Sequence, residues 1–161
     1  MKSHAIRTGL LATALVGLSA APAAMAATAT GGFQVLAEVQ AQCEVDASTT
    51  DMNFGVVDVT AGATATSTLS YRCTTGTTPI AALDYDVMTG TGGTLGYTLY
   101  QDAGLGTIWN TTTPQTLPAA TGFASADDVT VYGEITTAQA QADGVGVGAD
   151  YVDDVTVTLT F

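Results

Sequence analysis

The sequence predicts an all-β protein, specifically an antiparallel β-sandwich, and three observations carry that prediction. Short stretches alternate apolar and polar residues with a period of two, as in "LDYDV", "VTVYGEI" and "VTVTLTF". Glycine-rich segments such as "TGTGG", "DAGLG" and "DGVGVGAD" separate them, which is turn chemistry. No window carries a persuasive apolar period of 3.6; "TTAQAQA" at 136–142 allows one helical turn at most. Short strands at this spacing, rich in valine and threonine, argue for an antiparallel β-sandwich.

The chain opens with "MKSHAIR", the apolar run "GLLATALVGL", and Ala24-Met25-Ala26, which fits a signal-peptidase site. Residues 1–26 are therefore read as a removed secretory signal, too short in its apolar core to span a bilayer. Residues 27–41 then form an N-terminal extension, and 42–161 a single domain. In the extension Phe33, Val35, Ala37 and Val39 alternate with Gln34, Leu36, Glu38 and Gln40, and Leu36 is the one exception to a clean strand pattern.

The remaining strands follow in order. "TSTLSYRC" sets Leu69, Tyr71 and Cys73 against Thr66, Thr68, Ser70 and Arg72; Leu83, Tyr85 and Val87 oppose Asp84 and Asp86. "LGYTLY" offers Leu95, Tyr97 and Leu99, and "VTVYGEI" offers Val129, Val131 and Ile135. The last stretch alternates Val155, Val157, Leu159 and Phe161 with threonines and runs to the final residue.

Removal of the signal leaves 161 − 26 = 135 residues and Arg72 as the sole basic side chain. The formal charge becomes 1 − 15 = −14, which argues against nucleic acid and against electrostatic attraction to anionic lipid. No later segment is apolar enough for membrane insertion. Cys43 and Cys73, 73 − 43 = 30 positions apart in an exported chain, are expected to form a disulfide, both in phase with inward-facing residues.

Catalytic classes are poorly supplied. The single histidine, His4, and the lysine, Lys2, both fall in the signal, which removes triad and Schiff-base chemistry. No catalytic residue, metal ligand or cofactor is assigned. Asp127-Asp128 and Asp150, Asp153 and Asp154 read as solvated loop charge rather than a calcium site, and Trp109, Tyr97 and Tyr100 as packing rather than a sugar platform.

If the final strand does not lie at a protected edge, the domain exposes an apolar groove with unpaired backbone groups, while a well-patterned strand sits on a Gly-Gly tail. Pattern alone fits two arrangements: the tail folds back onto its own domain, or it fills the groove of the next copy by β-strand addition.

"C-x-V" at Cys43–Val45, "MNFG" at Met52–Gly55, "LSYRC" at Leu69–Cys73, "LGYTLYQDAGLGTIWN" at 95–110, "VYGEI" at 131–135 and the terminal "DYVDDVTVTLTF" occur in an order that resembles the spore coat protein U domain family. That family includes the major subunits of archaic chaperone–usher pili. The resemblance implies an incomplete immunoglobulin-like antiparallel β-sandwich, completed by a donor strand from a neighbouring subunit. It implies a homopolymer of identical or homologous subunits, assembled through a periplasmic chaperone and an outer-membrane usher into a cell-surface fibre for adhesion or biofilm formation. The donor strand would use Phe33, Val35, Ala37 and Val39. Val155, Val157, Leu159 and Phe161 would form the acceptor-groove edge, with the terminal carboxylate as a chaperone anchor, and Cys43 and Cys73 match the family's disulfide. Family members often carry Gly-x-Tyr-x-Asp before the last strand. Here Gly148, Tyr151 and Asp153 or Asp154 are spaced differently, so that element is not transferred. The alternative is a secreted, non-polymerising spore-coat or matrix protein of the same fold.

Overall fold

The computed structural model describes residues 27–148 and 150–161, so the expected signal segment 1–26 lies outside the described residues. Glu38–Phe161 is one compact unit, and residues 27–37, which form neither strand nor helix, fall outside it.

The strands of the compact unit are β1 (Cys43–Val45), β2 (Ala63–Cys73), β3 (Ile80–Asp84), β4 (Met88–Gly90), β5 (Gly93–Leu95), β6 (Thr98–Tyr100), β7 (Gln115–Thr116), β8 (Asp127–Ile135) and β9 (Thr156–Thr160). One helical turn, α1 (Thr137–Ala140), follows β8 and begins in a capping box between Thr136 and Gln139. One sheet has the order β1-β2-β8-β6, a second β7-β3-β9, and β4-β5 is a separate hairpin. Each ladder is antiparallel. The all-β sandwich expected from the period-two pattern is therefore the fold observed.

β2 and β8 make the backbone of the molecule, paired from Ala63↔Ile135 to Tyr71↔Asp127. Their inward residues Leu69, Tyr71, Val131 and Ile135 meet Ala81 and Leu83 of β3 in the core. Trp109 is fully buried and its Nε1–H donates to Ala81 O at 2.8 Å, so it is a core residue with its polar atom satisfied. The Tyr71 hydroxyl likewise donates to Pro118 O at 2.9 Å.

Two strand expectations are corrected. The stretch through Val87 ends as a strand at Asp84, because Tyr85 turns inward to accept from Leu99 N at 3.2 Å and Asp86 N donates to Asp153 at 3.0 Å. The run Leu95–Tyr100 is broken between β5 and β6 at Gly96-Tyr97, yet Leu95, Tyr97 and Leu99 are all buried as their phase required.

Cys43 and Cys73 face each other across β1 and β2 and are joined as a disulfide with Cα atoms 4.1 Å apart. Beside them Arg72 pairs with Asp46 at 2.5 Å. Ser48 caps the Asp46 carboxylate, and with the Arg72 charge this holds its pKa below the ordinary value of 3.8.

Candidate functional site: an open sheet edge beside a groove

β9 forms because valine and leucine alternate with threonine, placing Val157 and Leu159 half-buried on one face and Thr156, Thr158 and Thr160 in solvent on the other. Val155 and Phe161 flank the strand and are exposed. One side of β9 pairs with β3, from Thr156↔Asp84 to Thr160↔Ile80. No described strand pairs with its other side. Its outer backbone groups therefore lie on an unpaired strand edge.

Next to that edge lies a groove of about 1290 Å³. It reaches the core: Leu69 and Val131 of the four-stranded sheet and Leu83 and Val157 of the three-stranded one line it. The two sheets are thus left open toward each other along one side. The segment from Thr49 to Val57 borders the groove elsewhere. Asp46 N donates to Ser70 O and Thr50 N to Thr68 O, so this segment first follows β2. Met52 and Phe54 then lie over Gly133, where any Cβ would collide with both side chains. A side chain at 133 would make both move aside. Phe54 meets Tyr97 edge to face with ring centroids 6.2 Å apart.

The start of β9 is anchored. Asp153 accepts from the Tyr97 hydroxyl at 2.6 Å and from Asp86 N at 3.0 Å. Burial and then Asp153 push the Tyr97 phenol well above its ordinary pKa, so this hydroxyl stays protonated and donating. Asp150 accepts from Thr91 N and Thr91 Oγ1, and the Tyr151 hydroxyl donates to Gly146 O at 2.7 Å. Gly146 N donates to Gly92 O, an approach that a side chain on Gly92 would block. These bonds tie Gly146 and Asp150 to the β4–β5 hairpin and Asp153 to Tyr97 and Asp86, and so hold the edge strand in place.

Phe33, Val35 and Val39 are 80–89% exposed, and Leu36 equally so. Residues 27–42 form no strand. The alternating pattern of the extension is therefore present in sequence but has no described ladder. Gln40 near the end of the extension, and Gln42 just beyond it, do have partners. Thr74 Oγ1 donates to Gln40 O and accepts from Gln42 N, while Thr74 N donates to Gln42 O at 2.9 Å. Thr74, Met52, Phe54 and Asp153 contribute to the site without having been assigned to it from sequence. The "MNFG" motif offered Met52 and Phe54 a signal without a role, and Asp153 was read only as solvated loop charge.

Among the described residues no cluster of histidine, cysteine, aspartate and glutamate is arranged to hold a metal. No described helix is long and apolar enough to cross a membrane.

A comparison with curated proteins found no match. Among solved structures, the chain is similar to one in a crystal structure of the CsuC–CsuE chaperone–tip adhesion subunit pre-assembly complex, from archaic chaperone–usher Csu pili of Acinetobacter baumannii. The identity is 22% and the TM-score 0.53, covering 76% of this chain and 40% of that one, so the likeness is one of fold. The present chain thus spans well under half the length of that chain. The family model for the Spore Coat Protein U domain matches residues 29–158, which takes in the groove walls, the disulfide and most of β9. By that match over most of its length, the chain belongs to the Spore Coat Protein U domain family.

Proposed function

We propose that this protein is a chaperone–usher pilus subunit that polymerises head to tail by donor-strand exchange into a surface fibre serving adhesion or biofilm formation. The observation that carries the reading is the unpaired edge of β9 beside a groove open to the core. Residues 1–26 are the export signal, 27–41 the donor extension and 42–161 the pilin domain. Phe33, Val35, Ala37 and Val39 enter the groove of the next copy and pair with Val155–Phe161. The lengths agree, since 33–39 and 155–161 are both seven residues, about 24 Å as extended chain. The donor runs antiparallel to β9, as every ladder in the domain does. Phe33 then lies near Phe161 and Val39 near Val155.

The energetics favour a persistent joint. Burying Phe33, Val35 and Val39 contributes roughly 5–9 kcal/mol at about 1.5–3 each, before any ladder hydrogen bonds. A periplasmic chaperone covers the same edge until an outer-membrane usher exchanges it. The Csu neighbour, crystallised with its chaperone, supports that partner by analogy.

Deleting residues 27–41 tests the reading. The truncated domain should fold and bind a chaperone yet form no fibres. Fibres from that truncation sink it.

A further inference from the structure

The sulfur atoms of residues 27–161 fall into two groups. Cys43 and Cys73 are spent in the disulfide, which leaves the thioethers of Met52 and Met88. Both methionines line the groove, together with Leu69, Leu83, Leu99 and Val131. Met52 reaches it from the segment that follows β1. Its Sδ sits against Gly133 of β8, in the room that a side chain there would fill. Gly133 shares the phase of the buried Val131 and Ile135, so this sulfur lies on the inner face of the sheet. Met88 opens β4 and pairs with Leu95, another groove residue. Two separate elements, 88 − 52 = 36 positions apart in sequence, thus bring both remaining sulfurs to one cavity.

Both methionines pack against the core yet keep part of their surface open, unlike the buried leucines beside them. A small oxidant that enters the groove therefore reaches them, and a thioether is readily oxidised. With hydrogen peroxide, a sulfur lone pair attacks one peroxide oxygen and the O–O bond breaks. That oxygen stays on sulfur as the sulfoxide, and the other leaves as water. Sulfur loses two electrons and the peroxide gains them, so no further reactant is needed. The product is a polar acceptor on a side chain that was apolar. In an open groove, water satisfies it. A strand of phenylalanine, valine and alanine side chains laid over the groove removes that water and brings no side-chain donor in its place. A buried polar atom left without a partner is costly.

We propose that Met52 and Met88 are a modification site for peroxide that governs the acceptor groove. As thioethers they admit a donor strand; as sulfoxides they leave the domain folded and refuse one. A donor strand already in place shields them, so the modification acts on free subunits and spares assembled ones. Methionine sulfoxide reductases, drawing on a thiol reductant, reverse such a step. The inference rests on the donor-strand reading above and adds a regulation of that same groove.

The test applies hydrogen peroxide to residues 27–161, once as unassembled subunit and once as fibre. Mass spectrometry of peptic peptides reports the oxygen added at Met52 and Met88, circular dichroism the fold, and the unheated SDS ladder strand exchange. The subunit should be oxidised at both methionines, keep its spectrum and form at least about tenfold less ladder than untreated protein, the penalty of one unsatisfied buried polar atom. The fibre should stay unoxidised at both. In Met52→Leu with Met88→Leu, whatever its own rate of assembly, treated and untreated samples should form equal ladders. If that variant does not fold, the comparison of wild-type subunit with wild-type fibre decides. An oxidised subunit that assembles as fast as untreated protein overturns the inference, and so does one that loses its spectrum. Equal oxidation of fibre and subunit overturns it too, as does a ladder lost to peroxide in the leucine variant. In each of these cases the untreated ladder leaves strand exchange standing. An untreated wild-type fibre without a ladder overturns strand exchange itself.

Discussion

A charge on Val35 separates folding from assembly, because the side chain is exposed in the isolated chain and goes into an apolar groove only on joining. Desolvating an unpaired carboxylate costs several kcal/mol, against roughly 2 kcal/mol gained by burying valine. Val35→Asp should therefore leave the melting temperature of the free domain unchanged and abolish polymer, as read by size-exclusion chromatography. Trp109 presents the opposite case, fully buried with its indole nitrogen bonded to Ala81 O. Trp109→Ala should cost about 3–5 kcal/mol in denaturant unfolding and lower the yield of folded protein. Tyr97 gives a pH signature with a definite sign. Its folded pKa lies above the ordinary 10.0, mainly through burial and then through Asp153. The stability that it contributes is complete below pH 10 and falls as the pH rises beyond it. Alkaline melts should show that loss, and Tyr97→Phe should blunt it while lowering stability at neutral pH through the missing bond to Asp153.

At the scale of the element, β1 has only three residues and owes its place to the bridge between Cys43 and Cys73. Closing a 30-residue separation is worth roughly 3–4 kcal/mol on the loop-entropy estimate. Cys43→Ser with Cys73→Ser should lose about that much in urea unfolding, and wild type with reductant should follow it. This pairing was legible in the sequence because both cysteines shared the phase of inward residues. So were β2, β8 and β9, although Ser70, expected on the outer face of β2, is buried and bonded to Asp128, and Val155 and Phe161 flank β9 exposed. The breaks were not legible. β3 stops at Asp84, and β5 and β6 are separated at Gly96-Tyr97, because Tyr85, Asp86 and Tyr97 are drawn to Leu99 and Asp153. Those bonds join residues up to 67 positions apart, which a local pattern cannot register. For the same reason the Thr74 clamp and the crossing of Met52 and Phe54 over Gly133 emerge only from the fold.

For the whole molecule, acid should loosen the loops before the core. Asp46, Asp58, Asp102 and Asp150 all have pKa values below the ordinary 3.8, held down chiefly by hydrogen bonds from neighbouring hydroxyls and backbone N–H groups. Stability from such carboxylates is present above pH 3.8 and lost as the pH falls below it. Asp58 and Asp150 are exposed and Asp46 and Asp102 half-buried in surface loops, so each loss is small, and the change should show as faster amide exchange in those loops rather than global unfolding. The larger matter is that a sandwich whose β9 edge lies open beside a groove to the core, with a tail patterned as a strand, makes structural sense chiefly as a repeating unit. Each copy supplies what the next one lacks, and strand exchange within a folded core gives the joint kinetic persistence as well as affinity. The most direct measurement is electrophoresis of assembled wild-type and Val35→Asp protein in SDS, with and without heating. The account predicts an unheated wild-type ladder that collapses to monomer on heating, and monomer alone from Val35→Asp. A heat-sensitive ladder of undiminished length from Val35→Asp would contradict it.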